Sequence, residues 1–273
     1  MLLAAGRGNR MRPLTDHTPK PLLLVHGRPL LEWHIRALAA QGVRHLLVNT
    51  GWLGVQLPEY FGAQYPRNQN SNQSNDAPQP TTQISYSRED IDFGGALETA
   101  GGITRALPQL ADIFWLAAGD VYAPDFAFAH ADYERFAASS ALAHLWLVPN
   151  PEHNPQGDFA LALPEQPKQP EASTNPCADQ NANWGILHNH TPSNTCHPRY
   201  TYSTIALMRR ELFTTPWCNI PSGNPQGVAA PLAPVLRAAI DAGRVTGSIY
   251  LGRWTDVGTP QRLDALNKTS LER

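Results

Sequence analysis

Charge is scarce in this chain. Asp, Glu, Lys and Arg make up 16% of its 273 residues, against roughly 25% in an ordinary globular protein, and the formal net charge is −2. No overall basic field is available to hold nucleic acid or an anionic membrane, so neither partner is expected. Cysteine is scarce too. Cys177, Cys196 and Cys218 form an odd, scattered set of 3 without a C-x-x-C pair, which argues against a disulfide framework and fits a reducing cytoplasm. No apolar run approaches the roughly 18 residues of a membrane span, and residues 1–5 are too few for a signal-peptide core before Arg7. A cytoplasmic location is the expectation. No fixed-period repeat is visible, which argues against a solenoid or propeller.

Loop-forming residues, by contrast, are plentiful, with 25 Pro and 20 Gly. Two stretches concentrate polar and breaker residues. Residues 64–83 contain 9 Asn or Gln, with Tyr65 and Ala77 as the only candidates for burial, and read as a surface loop. Residues 164–200 carry 6 prolines amid Asn, Gln and His, with Trp184, Ile186 and Leu187 as the sizeable apolar residues before Tyr200. This stretch reads as a second, longer excursion.

Elsewhere, short β-branched or leucine-rich runs alternate with helical periods, the pattern of an α/β sheet. Strands are predicted over residues 2–5, 45–50, 84–88, 114–118, 142–147, 158–163, 200–208 and 245–250. Helices are predicted over 29–41, 98–107, 125–139, 231–242 and 259–267. In the first of these, Pro29 stands at N1, Leu30, Leu31, Ile35 and Leu38 share a side, and Gly42 stops the helix. The expected architecture is α/β: one domain over residues 1–273, a Rossmann-like mixed sheet with helices on both faces, interrupted by polar insertions at about 64–83 and 164–200.

Chemistry concentrates near the start. Gly6-Arg7-Gly8-Asn9-Arg10-Met11-Arg12-Pro13 follows the first strand, Thr18-Pro19-Lys20-Pro21 comes next, and residues 1–30 hold 5 basic side chains against 1 acidic. Gly6 and Gly8 let the backbone turn tightly and bring N–H groups against a phosphate without a Cβ in the way. Arg10 and Lys20 add charge-assisted contacts to the same group. This is not a dinucleotide turn, because the third glycine of G-x-G-x-x-G is replaced by Met11, and no stretch supplies G-x-x-x-x-G-K-[ST]. Taken alone, the loop also reads as a glycine-rich turn with solvated arginines.

The segment from Leu3 to Thr15, with Pro19-Lys20-Pro21-Leu22-Leu23, resembles the signature of the sugar-1-phosphate nucleotidyltransferases. The similarity continues through Asn49 to Gly54, Leu97 to Gly102, Gly119-Asp120-Val121, Asn150-Pro151, Gly157-Asp158-Phe159 and Gly252 to Thr259, nearly the whole chain apart from the two excursions. Within the family the likeness is to the muramyl branch, whose members transfer UMP from UTP to N-acetylmuramate α-1-phosphate in peptidoglycan recycling. The resemblance implies the nucleotide-diphospho-sugar transferase fold, with a nucleoside triphosphate and a sugar 1-phosphate as substrates. It implies that Arg10 grips the triphosphate and stabilises departing pyrophosphate, while Lys20 sits near the α-phosphate. Asp120 and Asp256 would jointly hold Mg²⁺, a hard cation that suits two carboxylates plus substrate phosphates; each Asp alone would read as a turn residue. Main-chain groups at Ala5, Glu98 and Thr99, beside Gly6 and Gly8, would bind the nucleotide. Asn150, Gly157 and Asp158 are in register with the sugar-side segment.

Two positions depart from the muramyl pattern, in which Asn is expected at Ala118 and Gly at Thr204. They keep a mannose- or glucose-1-phosphate nucleotidyltransferase open. A catalytically silent regulatory homologue also stays open, although such proteins lose the phosphate and metal side chains that are present here. The group Cys177, His188, His190, Cys196 and His197 has zinc-ligand residue types, but its spacing matches no standard finger, and a tolerated polar insertion is the preferred reading.

Overall fold

A computed structural model describes residues 1–66, 81–164, 184–190 and 197–269. Among these residues the strands are β1 (Leu2–Ala4), β2 (Leu24–Val25), β3 (Arg28–Pro29), β4 (His45–Thr50), β5 (Gln64–Tyr65), β6 (Thr82–Arg88), β7 (Ile113–Ala118), β8 (Val121–Tyr122), β9 (Ala143–Val148), β10 (Phe159–Ala162), β11 (Gly185–His188), β12 (Arg199–Arg209), β13 (Val245–Ile249) and β14 (Thr255–Asp256). The helices are α1 (Leu30–Ala40), α2 (Gln56–Phe61), α3 (Glu89–Phe93), α4 (Glu98–Ala106), α5 (His130–Ala137), α6 (Leu232–Asp241) and α7 (Pro260–Lys268).

Ten of the described strands form one mixed sheet in the order β10-β11-β13-β9-β12-β7-β1-β4-β6-β5. β7, β1, β4 and β6 pair in parallel, so the carboxyl ends of β1, β4 and β7 open on one edge, where α/β sheets bind ligands. β12 runs antiparallel between β7 and β9. Successive strand residues serve opposite faces. Phe114 and Leu116 of β7 join the core beneath α4 and α6, whereas Trp115 and Ala117 join the core beneath α1, α2 and α5. Both faces are therefore covered, as the sequence predicts. α6 shows why: Leu232, Val235, Leu236, Ala239 and Ile240 are buried along one stripe, and Gly243 follows at φ +67, a conformation suited to ending a helix. A third, smaller cluster of Met11, Val25, Leu30, Tyr122, Val257 and Leu263 ties the N-terminal loop to β8, β14 and α7.

Three predicted boundaries need correction. The helix predicted over 125–139 begins only at His130. Phe126 and Phe128 alternate into the core against Trp115 instead, and Phe128 takes φ +49, which no helix tolerates. The long excursion is not all loop: β11 returns to the sheet between β10 and β13. Its buried anchors are Leu187 and, just before it, Trp184, which stacks on His144 at 3.6 Å between ring centroids. The first excursion is pinned at its ends, where Tyr65 of β5 pairs with Thr82 of β6, so that strand starts two residues before the predicted Ile84. Residues 67–80, Cys177 and Cys196 lie outside the described residues; His188 and His197 stack at 6.0 Å.

Candidate active site

The loop after β1 is built around Gly8. It sits at φ +65 and precedes a short 3-10 turn over Asn9–Met11. Its carbonyl accepts from Met11 N at 2.8 Å and from Thr15 Oγ1 at 2.9 Å. A Cβ here would stand 3.0 Å from Thr15 Cγ2 and 3.3 Å from Lys20 Cβ, so conformation and space both call for glycine. The arginines of the loop divide by task. Arg7 lies over the Trp52 ring at 4.4 Å, and that indole donates to Thr15 O at 2.8 Å. Arg12 pairs with Asp16 at 3.0 Å. Among the described residues Arg10 has neither a carboxylate nor a ring partner, and of the three arginines it is the one that lines the cleft.

That cleft, ≈ 570 Å³, runs along the carboxyl ends of β1, β4 and β7, and its wall includes Ala5, Gly6, Gly8, Lys20, Thr99 and Asp120. Lys20 is 7% exposed, and its Nζ lies 2.7 Å from Asp120 Oδ2. Asp120 follows β7. In the adjoining two-stranded ladder Asp256 pairs with Val121, and Val257 N donates to Asp120 O at 3.1 Å. The ladder thus sets the two residues on adjoining backbone, with Asp120 lining this cleft and Asp256 lining a neighbouring one with His153 and Arg262. Asp256 Oδ2 meets Arg262 Nη1 at 2.9 Å and His153 Nε2 at 3.5 Å, and Gly258 leaves room for it, since a Cβ there would lie 3.1 Å from the carboxylate.

These donor types fit Mg²⁺: two hard carboxylates near the glycine loop, each now balanced by a cation. Among the described residues no group of three or more His, Cys, Asp or Glu that could hold a metal ion converges. His34 of α1 supports the same corner by donating from Nε2 to Val121 O at 2.9 Å. Burial lowers its pKa to about 4, so it is a neutral donor at pH 7.

The wall formed by the end of β1 and the start of α4 rests on two groups behind it. Asn49 Oδ1 accepts from Ala4 N at 2.8 Å, and its Nδ2 donates to Glu89 Oε1 at 2.7 Å. Glu89 Oε2 accepts from Leu97 N at 2.8 Å, so a fully buried chain links the end of β1 to the turn that starts α4. Burial raises the pKa of Glu89, while its two hydrogen bonds act against the shift. Glu98 is held at φ +56, an uncommon state for a residue with a side chain, and with Thr99 it faces the cleft. The role of Glu89 left no local signal, because a single acid after a strand has no motif.

A second cleft of ≈ 580 Å³ shares Leu3, Glu98, Thr99 and Ala118 with the first. Asp158 lines it, with Oδ2 accepting from Tyr202 N at 2.8 Å and Oδ1 from Asn154 Nδ2 at 3.1 Å. Asn150 and Gly157 are not in either wall; they form the strut behind Asp158. Asn150 donates to Pro155 O and Arg199 O and accepts from Thr201. Gly157, at φ +62, packs so closely that a Cβ would stand 2.7 Å from Asn150 Oδ1. Tyr202 Oη, in the wall residue beside Asp158, is buried without a hydrogen-bond partner among the described residues. Thr204 occupies a β-bulge at φ +65. Ser203 fixes that bulge, donating to Trp146 O at 2.7 Å and accepting from Trp254 Nε1 at 3.1 Å through its own carbonyl.

A glycine-bearing loop, a lysine–aspartate pair and a second acidic strand at the open edge of a mixed sheet define a nucleotidyltransferase-type site. The chain belongs to the MobA-like NTP transferase domain family, whose profile matches residues 1–144. It is 40% identical over 269 residues, 96% of this chain and 94% of the relative, to an N-acetylmuramate alpha-1-phosphate uridylyltransferase of Neisseria meningitidis. It is 25% identical over 267 residues to a mannose-1-phosphate guanylyltransferase of Mycobacterium tuberculosis, covering 96% of this chain and 61% of that one. In structure it is similar to the UTP-bound UGPase of Acinetobacter baumannii, with a TM-score of 0.67 at 15% identity, covering 97% of this chain and 90% of that one. That likeness establishes the fold.

Proposed function

We propose that this protein transfers UMP from UTP to N-acetylmuramate α-1-phosphate, giving UDP-N-acetylmuramate and pyrophosphate, as a cytoplasmic step in peptidoglycan recycling. One observation carries the reading: the 40% identity to an enzyme of that name extends over 96% of this chain, and so covers both clefts. Residues 1–273 act as one catalytic unit on small-molecule substrates, without nucleic acid or membrane.

Ala5, Gly6 and Gly8 present backbone to the nucleotide, and main-chain groups of Glu98 and Thr99 read the base. Arg10, free of a carboxylate partner, grips the β- and γ-phosphates. Lys20 lies beside the α-phosphate, held there by Asp120 at 2.7 Å. An oxygen of the sugar phosphate attacks the α-phosphorus, a new P–O bond forms, the α–β bridging bond breaks and pyrophosphate leaves. The attacking phosphate is already ionised at neutral pH, so no general base is needed. Catalysis is positioning plus charge compensation by Arg10 and Lys20. Asp120 and Asp256 hold Mg²⁺, which when bound supplies further neutralisation of phosphate charge. Asp158, positioned by Asn150 and Gly157, accepts a bond from a sugar hydroxyl.

A second reading, a hexose 1-phosphate acceptor such as mannose 1-phosphate, draws on Ala118 and Thr204 in the sugar-side wall. The test is product identification. With UTP, N-acetylmuramate 1-phosphate and Mg²⁺, UDP-N-acetylmuramate and pyrophosphate should appear in equal amounts by mass spectrometry. Turnover of mannose 1-phosphate in place of the muramyl sugar would overturn the first reading in favour of the second.

A further inference from the structure

The sugar-side cleft contains a cation that the transfer reaction leaves unused. Arg237 of α6 lines it, whereas the cleft of Arg10 and Lys20 does not include it. Its guanidinium lies over the Phe159 ring, 5.6 Å from the centroid, and Phe159 itself is buried in the same wall. The acids around it are occupied elsewhere. Asp241, four residues on and so in reach for a helical ion pair, accepts from Asn189 Nδ2 at 2.7 Å instead. Asp158 is held through both oxygens by Tyr202 N and Asn154. No described carboxylate lies within ion-pair distance of Arg237. Much of the remaining wall is apolar, including Leu116, Leu232 and Leu236, so an anion entering here would meet a guanidinium with no described carboxylate beside it.

We propose that Arg237 is a specificity residue that recognises a carboxylate on the acceptor sugar. The inference rests on the muramyl reading above, because N-acetylmuramate differs from N-acetylglucosamine by an O-lactyl group that ends in a carboxylate. In this assignment the leucines receive the methyl groups, Asp158 takes a ring hydroxyl and Arg237 takes the carboxylate. Neutral sugar 1-phosphates lack the group that Arg237 awaits. They gain no contact from it, so the preference is for the acceptor that carries the carboxylate.

The test compares kcat/KM for N-acetylmuramate 1-phosphate and N-acetylglucosamine 1-phosphate, each with saturating UTP, in the wild type, Arg237→Gln and Arg237→Lys. The side chain is exposed, and Gln and Lys are good helix formers; thermal melting checks that each variant is folded. Arg237→Gln should cut the preference for the muramyl sugar about 10- to 100-fold, mainly through its KM, as expected for one charge-assisted contact. Arg237→Lys should recover part of it. Equal losses on both sugars would mean that Arg237 holds the common phosphate, and an unchanged preference would mean that it holds nothing; either result overturns the assignment while leaving the muramyl reading intact. A wild type that ignores N-acetylmuramate 1-phosphate would overturn the muramyl reading, and this inference with it.

Discussion

The two clefts share a wall but are made differently. On the proposed nucleotide side, the wall is built from backbone: a glycine turn at φ +65, a strained Glu98 at φ +56 and main-chain groups braced from behind by Asn49 and Glu89. On the proposed sugar side, the wall offers side chains of Asp158, Tyr202, Thr204 and Arg237 from separate parts of the chain. The difference teaches that triphosphate chemistry can be supported by one short segment, because phosphate asks for N–H groups and cations at close range. Discriminating one sugar from another asks for a shaped pocket, and that draws on distant parts of the chain.

Substitution separates the two sides. The largest effect is expected at Asp120, in the first cleft close to the shared wall. Asp120→Asn should lower Mg²⁺-dependent turnover by more than about 10³-fold with either acceptor while leaving the melting temperature nearly unchanged, as a metal and lysine partner should. Near-normal turnover would remove Asp120 from the reaction.

Acid should strike both sides through their supports. His34, behind the metal corner, has a pKa lowered to about 4, and His144, beneath Trp184, is lowered well below its ordinary value, in both cases chiefly by burial. A depressed histidine contributes stability that is present above pH 6.5 and is lost as pH falls toward the folded value. For His34 the loss by pH 4 is about 3 kcal/mol. Melting curves from pH 7 to pH 4 should fall steeply, and the fall should be shallower in His34→Gln.

Within the phosphate loop, Arg10→Ala should reduce kcat/KM for UTP about 10²-fold. Arg7→Ala, which removes only a cation resting on Trp52, should change it less than about threefold. Reversed magnitudes would reassign the phosphate contact. The smallest effect is expected at the sugar-side bulge. Thr204→Gly removes a β-branched residue from positive φ and should raise stability by about 1 kcal/mol, read as a small increase in melting temperature.

The same contrast governs what the sequence makes legible. The order of strands and helices around the sheet is readable because apolar periods of two and of 3.6 are local. The phosphate loop is readable because Gly6, Gly8, Arg10 and Lys20 lie within 15 residues of one another. β11 is hidden by its polar flanks, with Leu187 and Trp184 the only strong clues to burial. The start of α5 is obscured because Phe126 and Phe128 satisfy a core that the local pattern does not describe. Glu89 and Arg237 are invisible locally: each acquires its role from a partner, or the lack of one, 40 or more residues away for Asn49 and Phe159. Asn150 and Gly157 show the converse, motif residues whose observed contacts hold the loop that precedes Asp158 against β12.

The most direct test of the account is Mg²⁺-dependent pyrophosphate release across a matrix of four nucleoside triphosphates and several sugar 1-phosphates. The account predicts release confined to UTP with N-acetylmuramate 1-phosphate. Preference for GTP or dTTP with mannose or glucose 1-phosphate would contradict it.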